Sequence, residues 1–345
     1  MIALTSTATR MFAEAQEAAD VVERQFEANA DIVRDLAERL RGQPPRVVVT
    51  YARGSSDHAA TFAKYVIETR VGVLTSSGAP SIASVYRDAL DFRSAFALAI
   101  SQSGQSPDML AAMEAAKAGG ALTAALVNAE RSRLEAITDV TVPLRAGLER
   151  SVAATKSYIA TLAAVLHLTA DWTADEALRD ELLAAPSKLT KAFECDWSPL
   201  VDCLTSARGL YVIGRGPGLG VAQEAALKLK ETCRLHAEAF SSAEVRHGPM
   251  ELVGPDFPLL VFRQSDESSE GVEELALDVI ARGAPVFVAG AEVRGATPLP
   301  VPGAHELIEP LLHIQALYRA ANQLSVELGL DPDRPLHLHK VTETL

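Results

Sequence analysis

Apolar positions along this chain fall into two patterns: short continuous runs, and longer stretches with apolar residues every three or four places. From about Thr7 to Leu40 the spacing is helical, with Phe12, Ala15, Ala18, Ala19 and Val22 on one stripe and Ile32, Leu36 and Leu40 on another. The run Arg46–Tyr51 is rich in β-branched residues and predicts a first strand. A turn over 52–57 and a helix from about His58 to Thr69 follow it. Residues 71–75 predict a second strand, 96–100 a third, 122–127 a fourth and 140–144 a fifth. Between the third and fourth, Pro107–Lys117 predicts a helix closed by Gly119-Gly120. Strands alternating with helices predict a parallel sheet covered on both faces, whose ligands bind beyond the carboxyl ends of the strands.

The pattern then starts again. The segment Glu149–Lys156 opens a long apolar helix that runs to about Asp171, and a more charged helical stretch follows it. Gly209–Ile213, Pro258–Phe262 and Pro285–Ala289 predict strands, 221–232 a helix and 306–328 a closing helix. Tyr51-Ala52-Arg53-Gly54 and Ile213-Gly214-Arg215-Gly216 each end a first strand ahead of an alanine-rich helix, so the chain predicts a duplicated α/β domain. The expected boundaries are helices over 1–40, a first domain over 41–171, a helical linker over 172–197, a second domain over 198–330 and a tail over 331–345.

Two strand-end turns carry candidate chemistry. Ser101-Gln102-Ser103-Gly104-Gln105-Ser106 joins the third strand to its helix, and Gly54-Ser55-Ser56 follows the first. A helix N-terminus offers free N–H groups and a positive dipole end, so the serine loop reads either as an anion site or as an ordinary cap. It lacks a Walker lysine, which favours the monophosphate of a small metabolite over a nucleotide triphosphate. Gly214-Arg215-Gly216-Pro217-Gly218 suggests a dinucleotide turn, but Leu219 stands where the third glycine belongs, so no cofactor is expected.

Composition narrows the partners. The net charge of −13 excludes a nucleic-acid surface of ordinary kind but not a local phosphate site. No run approaches a membrane span, and the N-terminus shows no basic region ahead of an apolar core, so neither a membrane nor a secretion signal is expected. The three cysteines, Cys195, Cys203 and Cys233, have no metal-ligand spacing and suit a reducing cytoplasm.

Read together, Ser101-Gln102-Ser103-Gly104, Val152-Ala153-Ala154-Thr155-Lys156, Glu224–Glu231, His236–Phe240 and Glu244-Val245-Arg246-His247-Gly248-Pro249 resemble the sugar isomerase (SIS) superfamily. The tail 335–342 matches more loosely. Within the superfamily the chain is most similar to the isomerase half of the glutamine–fructose-6-phosphate aminotransferases, from about residue 10 to the end. The resemblance implies an α/β fold of two tandem SIS domains, each a parallel sheet flanked by helices in a flavodoxin-like three-layer sandwich. Two departures stand out. Ile2 occupies the place of the glutaminase cysteine, so no ammonia is expected from glutamine within this chain. Arg53 and Ala154 stand where the family has Cys and Ser, which bears on the fit of the substrate.

Glu224, Lys228 and Glu231 share one helix face, and spacing alone reads equally as a solvated salt-bridged stripe. The resemblance assigns Glu231 as the base between sugar C1 and C2, with Lys228 holding it ionised, and His247 as the ring-opening group. It assigns Lys340 as the amine that forms a Schiff base, a step open only to a neutral amine. His337 and His339 lie beside it in sequence. Substrate contacts are expected from Gly54, Ser55, Ser56, Ser101, Gln102, Ser103, Ser106, Val152, Ala153 and Ala154. The expected activity converts an amino-hexose phosphate, glucosamine 6-phosphate first, to fructose 6-phosphate and ammonia. A phosphosugar isomerase, a deaminase of another amino-sugar phosphate or sugar–amino acid adduct, and a non-catalytic phosphosugar sensor are the alternatives. A cytoplasmic homodimer without cofactor or metal completes the expectation. The proline-rich segment 331–335 predicts an extended tail, with Leu336, Leu338 and Val341 packed down and Lys340 directed at the sugar.

Overall fold

A computed structural model of the chain describes residues 4–338 and 340; Ile2, His339 and Val341 lie outside the described residues. The first half runs through α1 (Arg10–Gln16), α2 (Ala18–Gly42), β1 (Val47–Tyr51), α3 (Ser55–Val66), β2 (Thr75–Ser77), β3 (Ala95–Ser101), α4 (Pro107–Ala118), β4 (Leu122–Val127), α5 (Arg133–Ile137), β5 (Val140–Pro143) and α6 (Lys156–Thr173). The second continues through α7 (Glu176–Glu194), α8 (Ser198–Leu204), β6 (Gly209–Gly214), α9 (Gly218–Cys233), β7 (His236–Ser241), β8 (Leu259–Phe262), α10 (Ser269–Ala281), β9 (Val286–Ala289), β10 (Thr297–Leu299) and α11 (Glu309–Glu327).

Both sheets are parallel throughout, in the orders β2-β1-β3-β4-β5 and β10-β9-β8-β6-β7. Numbered within its own half, each reads second, first, third, fourth, fifth, the doubly wound order with a switch point between the first and third strands. The register repeats too. Tyr51 faces Ala99 and Ile213 faces Val261, partners 48 residues apart in both halves (99 − 51 and 261 − 213). The duplication is therefore one of strand order and of residue register.

Each sheet is buried by its own helices. All seven residues of β3 are buried, and Ala95, Ala97 and Ala99 share a core with Met109, Met113 and Ala116 of α4. Leu259 and Val261 of β8 share the matching core with Val272, Leu275 and Val279 of α10. Small alanines on β3 let α4 lie close. The all-apolar run leaves no solvent-facing side, as a central parallel strand requires.

The second strand differs from the sequence expectation. Ile67–Val71 prolongs α3 as a wide π turn that ends at Gly72 with φ of 77°, and the strand begins only at Thr75. The valines at 71 and 73 read as strand formers, but they sit in a helix exit that a left-handed glycine closes. Strands β7 and β10 and helix α10 were not legible from periodicity. β7 alternates as a half-buried edge strand, and β10 is three residues long with Pro298 at its centre.

The chain divides into two compact units that do not follow chain order. One holds the first sheet, Asp20–Glu149 with Ser157–Leu183; the other holds the second sheet, with the residues up to Ala19, Arg150–Lys156 and Ala184–Lys340. Among the described residues no helix is long and apolar enough to cross a membrane.

Candidate functional site

In the first-sheet unit, the serine loop leaves β3 at Ser101 and enters α4 at Pro107, with Ser106 at the N-cap position. Pro107 suits the first helical position because no N–H is needed there. Ser101 is buried, and its Oγ accepts from Gly104 N at 2.9 Å, so this hydroxyl holds the turn together. Gly104 has φ of 61°, and a Cβ there would stand 2.6 Å from Ser132 Oγ and 2.9 Å from Val127 Cγ2, so no other residue fits. Ser106 makes no capping bond with its side chain, and Ser103 Oγ accepts only a long 3.4 Å contact from Gln105 N. Gln102 is committed differently. Its Nε2 donates to Glu149 Oε2 at 2.9 Å, and the same buried carboxylate accepts Ser157 Oγ at 2.7 Å and Ser157 N at 3.2 Å.

Gly54 caps α3 with φ of 56° and ψ of −131°, a glycine conformation, and Ser55 and Ser56 form the first turn. Arg53, one of the two departures from the family, donates from Nη2 to Asp108 Oδ2 at 2.8 Å. Asp108 is buried in the first turn of α4, so this pair ties the β1 turn to the start of the helix behind the serine loop. Asp57, beside it, has its carboxyl raised above the usual range by burial, against the pull of His58 and Arg53.

In the second-sheet unit, α9 carries the acid–lysine–acid set. Lys228 and Glu224 expose no side-chain surface, whereas Glu231 is 19% exposed. Lys228 Nζ donates to Glu231 and stands 3.4 Å from Glu224 Oε1, which Tyr318 Oη of α11 also approaches at 3.4 Å. This is not a solvated stripe: a buried ammonium is tolerable only when anions surround it, and both carboxylates do so here. Only Glu231 opens to solvent.

The second repeat supplies an internal comparison for the serine loop. With the same register, Gln264, Ser265 and Ser268 stand where Gln102, Ser103 and Ser106 stand in the first. There Ser265 donates from N and Oγ to the Glu309 carboxylate of α11, at 2.7 and 2.9 Å. Burial raises the Glu309 carboxyl above its usual range, against the Ser265 bonds that favour its charge. A turn of this design therefore holds an oxyanion in the second repeat. Ser103 has no carboxylate partner among the described residues. The Gly214–Gly218 turn is explained by packing. A Cβ at Gly214 would meet Gly218 O at 2.3 Å, and one at Gly218 would meet the buried Gln264 at 2.1 Å.

Residues 150–155, expected to open the long helix, are instead irregular backbone of the same unit, since their N–H groups are taken by side chains such as Glu14, with Val152 and Ala154 half-buried and Ala153 buried. Lys340 Nζ donates to Ser151 O at 2.8 Å. The expected packing of the tail is corrected here. Leu336 is 71% and Leu338 40% exposed. The anchor is instead Asp333, whose carboxylate accepts Arg10 N and Met11 N at 2.8 Å each. A free helix N-terminus offers a stronger tie than two leucines can find on a polar surface. His247 is exposed at the end of a 3₁₀ turn over Glu244–Arg246, ahead of Gly248 with φ of 131°. Glu14, Glu149, Asp108, Glu309 and Tyr318 were missed from the sequence, because each meets its partner through tertiary packing. Among the described residues no group of His, Cys, Asp or Glu is placed to hold a metal. A recess of about 780 Å³ lies at the amino ends of β3 and β4, lined by Arg39, Gln43, Phe96 and Asp139, at the opposite end of the sheet from the serine loop.

The SIS domain pattern matches residues 43–170 and 203–289. The chain belongs to the SIS domain family. A Silicibacter pomeroyi protein assigned to the phosphosugar isomerases is 41% identical, with a TM-score of 0.91 over 94% of this chain and 100% of that one. The glutamine–fructose-6-phosphate aminotransferase of Thermococcus kodakarensis is 31% identical over 96% of this chain, which spans 57% of that relative's length. The C-terminal domain of the Francisella tularensis aminotransferase, at 24% identity, shares the fold with a TM-score of 0.86 over 95% of this SIS chain.

Proposed function

We propose that this SIS protein interconverts aldose and ketose forms of a hexose 6-phosphate, and that its reaction is the deamination of glucosamine 6-phosphate to fructose 6-phosphate and ammonia. The observation that carries the reading is the buried Lys228 between Glu224 and Glu231, with Glu231 alone open to solvent. A carboxylate kept in place by a water-excluded ammonium suits a proton carrier between adjacent sugar carbons. The serine loop takes the phosphate, as its counterpart in the second repeat takes the Glu309 carboxylate. His247 opens the ring. In the amino-sugar direction Glu231 moves the proton from C2 to C1 of the open aldose, giving a C2 imine that carries the sugar's own nitrogen. Lys340, released from Ser151 O, adds at C2 and displaces that nitrogen as ammonia, leaving a lysine imine. Water then hydrolyses the lysine imine to fructose 6-phosphate and the free amine.

The aminotransferase relatives at 31% identity favour amino-sugar chemistry, and the Silicibacter pomeroyi relative at 41% favours a plain phosphosugar isomerase. A sensor would need no buried acid–lysine–acid set, which weighs against that class. Ammonia release from glucosamine 6-phosphate, beside aldose–ketose conversion of the unaminated hexose phosphates, separates the two enzymes. Lys340→Ala should abolish turnover and leave phosphate binding intact; full turnover by that variant would overturn the imine role. The working form is read as a homodimer, checked by sedimentation at micromolar concentration.

A further inference from the structure

Helix α1 lies far in sequence from every residue assigned to the chemistry, yet Glu14 within it and Glu17 at its C-cap both reach the 150–156 segment. Glu14 is buried at 6% exposure, and its carboxylate accepts Arg150 N and, at 3.1 Å, Ser151 N. One turn on, Glu17 Oε2 pairs with Lys156 Nζ at 2.6 Å, with the lysine side chain only 3% exposed. The acids are three residues apart, Glu17 continuing the helical turn as the C-cap of α1, so both lie on the same side. They hold the two ends of a segment that has no strand or helix of its own between 150 and 155. Within it, Ser151 Oγ donates to Ala153 O at 2.9 Å, and Ser151 O receives Lys340 Nζ at 2.8 Å.

The helix itself is fastened from outside. Asp333 covers its first N–H groups, Gln315 Nε2 donates to Ala15 O at 2.9 Å, and Thr9 Oγ1 bonds Asn322 Oδ1 at 2.6 Å. These contacts close a circuit: the tail holds α1, Glu14 holds the N–H of Ser151, and the carbonyl of the same residue receives Lys340. A carboxylate accepting two successive backbone N–H groups is a strong, charge-assisted restraint on an otherwise free loop.

We propose that Glu14 is a positioning residue, whose carboxylate fixes the backbone at Arg150 and Ser151 and thereby sets both the Val152–Ala154 segment and the resting place of Lys340. This rests on the proposed function, in which that segment and Lys340 meet the sugar.

The test compares Glu14→Gln with Phe12→Leu. The second variant loosens α1 at its ring contact with Phe193, 5.0 Å between centroids, but keeps the carboxylate. Two quantities are read: amide hydrogen exchange at Arg150 and Ser151, and borohydride trapping of fructose 6-phosphate on Lys340 as a function of sugar concentration. In Glu14→Gln, exchange at both amides should quicken about tenfold or more, and half-saturation of trapping should rise roughly tenfold, with saturating sugar restoring the yield. Phe12→Leu should change neither. Unchanged amide protection in Glu14→Gln, or equal shifts in the two variants, would overturn the proposal. If the wild-type protein traps no sugar, the Lys340 role falls by itself, and the amide exchange alone decides for or against Glu14.

Discussion

At the scale of the residue, the chemistry depends on which polar groups are already satisfied within the fold. Ser101 and Gln102 spend their strongest bonds on Gly104 and Glu149, whereas Ser103 keeps a hydroxyl with only a long internal contact. Ser265, its counterpart, has both donors on Glu309. Ser103→Ala should therefore raise KM for the sugar phosphate by a factor of about 10–100, matching a hydrogen bond to a charged group of roughly 1.5–3 kcal/mol. Its kcat should change little. Ser265→Ala should leave KM unaltered, since its bonds are internal. Equal effects from the two substitutions in steady-state kinetics would remove Ser103 from the phosphate site. Spacing placed Glu224, Lys228 and Glu231 on one face, but could not decide between a wet stripe and a buried set. Burial of Lys228 by the rest of the unit decided it.

At the scale of the element, α1 and the tail depend on each other. Seven residues are too few for an isolated helix in water, so α1 needs its ends satisfied by the fold. Thr9 accepts Phe12 N at 3.1 Å, and Asp333 accepts the two N–H groups ahead of it. Asp333→Ala should cost about 0.5–2 kcal/mol, as loss of an N-terminal cap does, read from urea or thermal unfolding. Leu336→Ala and Leu338→Ala should each stay within about 0.5 kcal/mol, because both side chains are exposed. Pro332 and Pro335 made it legible that the helix does not continue, but the tail is not extended: it runs through turns closed by Arg334 N on Asp331 O at 3.2 Å and Leu338 N on Pro335 O at 3.4 Å. Its anchor was not legible, since Asp333 meets α1 at a separation of 322 residues.

At the scale of the whole molecule, buried histidines link stability to pH. His313 is fully buried, stacked on Phe262 at 5.4 Å, and burial pushes its imidazole down to about 3. His167, stacked on Phe26 at 4.3 Å, is pushed down to about 4, chiefly by burial, with Arg179 adding and Asp171 opposing. In the unfolded chain both take a proton near pH 6.5. The folded state refuses it, so stability is complete above that value and falls as pH drops toward 4. At pH 4.5 each histidine costs of order 2–3 kcal/mol on this account. His313→Gln should flatten the decline between pH 6.5 and 4.5 in denaturant titrations. An unchanged slope would mean that other groups govern it.

The sequence by itself determined the alternation of strand and helix, the duplication, and the motifs that place the chain among SIS proteins. Those features live in spacings of two to four residues and in contiguous stretches, where neighbours in the chain are neighbours in space. It left β2 misplaced, because the valines at 71 and 73 carry the same local signal in a helix exit as in a strand. Only the tertiary structure decided which polar groups are spent and which remain. Glu14 reaches Ser151 across 137 residues, Ser265 reaches Glu309 across 44, and Tyr318 reaches Glu224 across 94. Such pairs are set by sheet register and helix packing, which bring distant backbone and side chains to hydrogen-bond range. No local pattern carries that information.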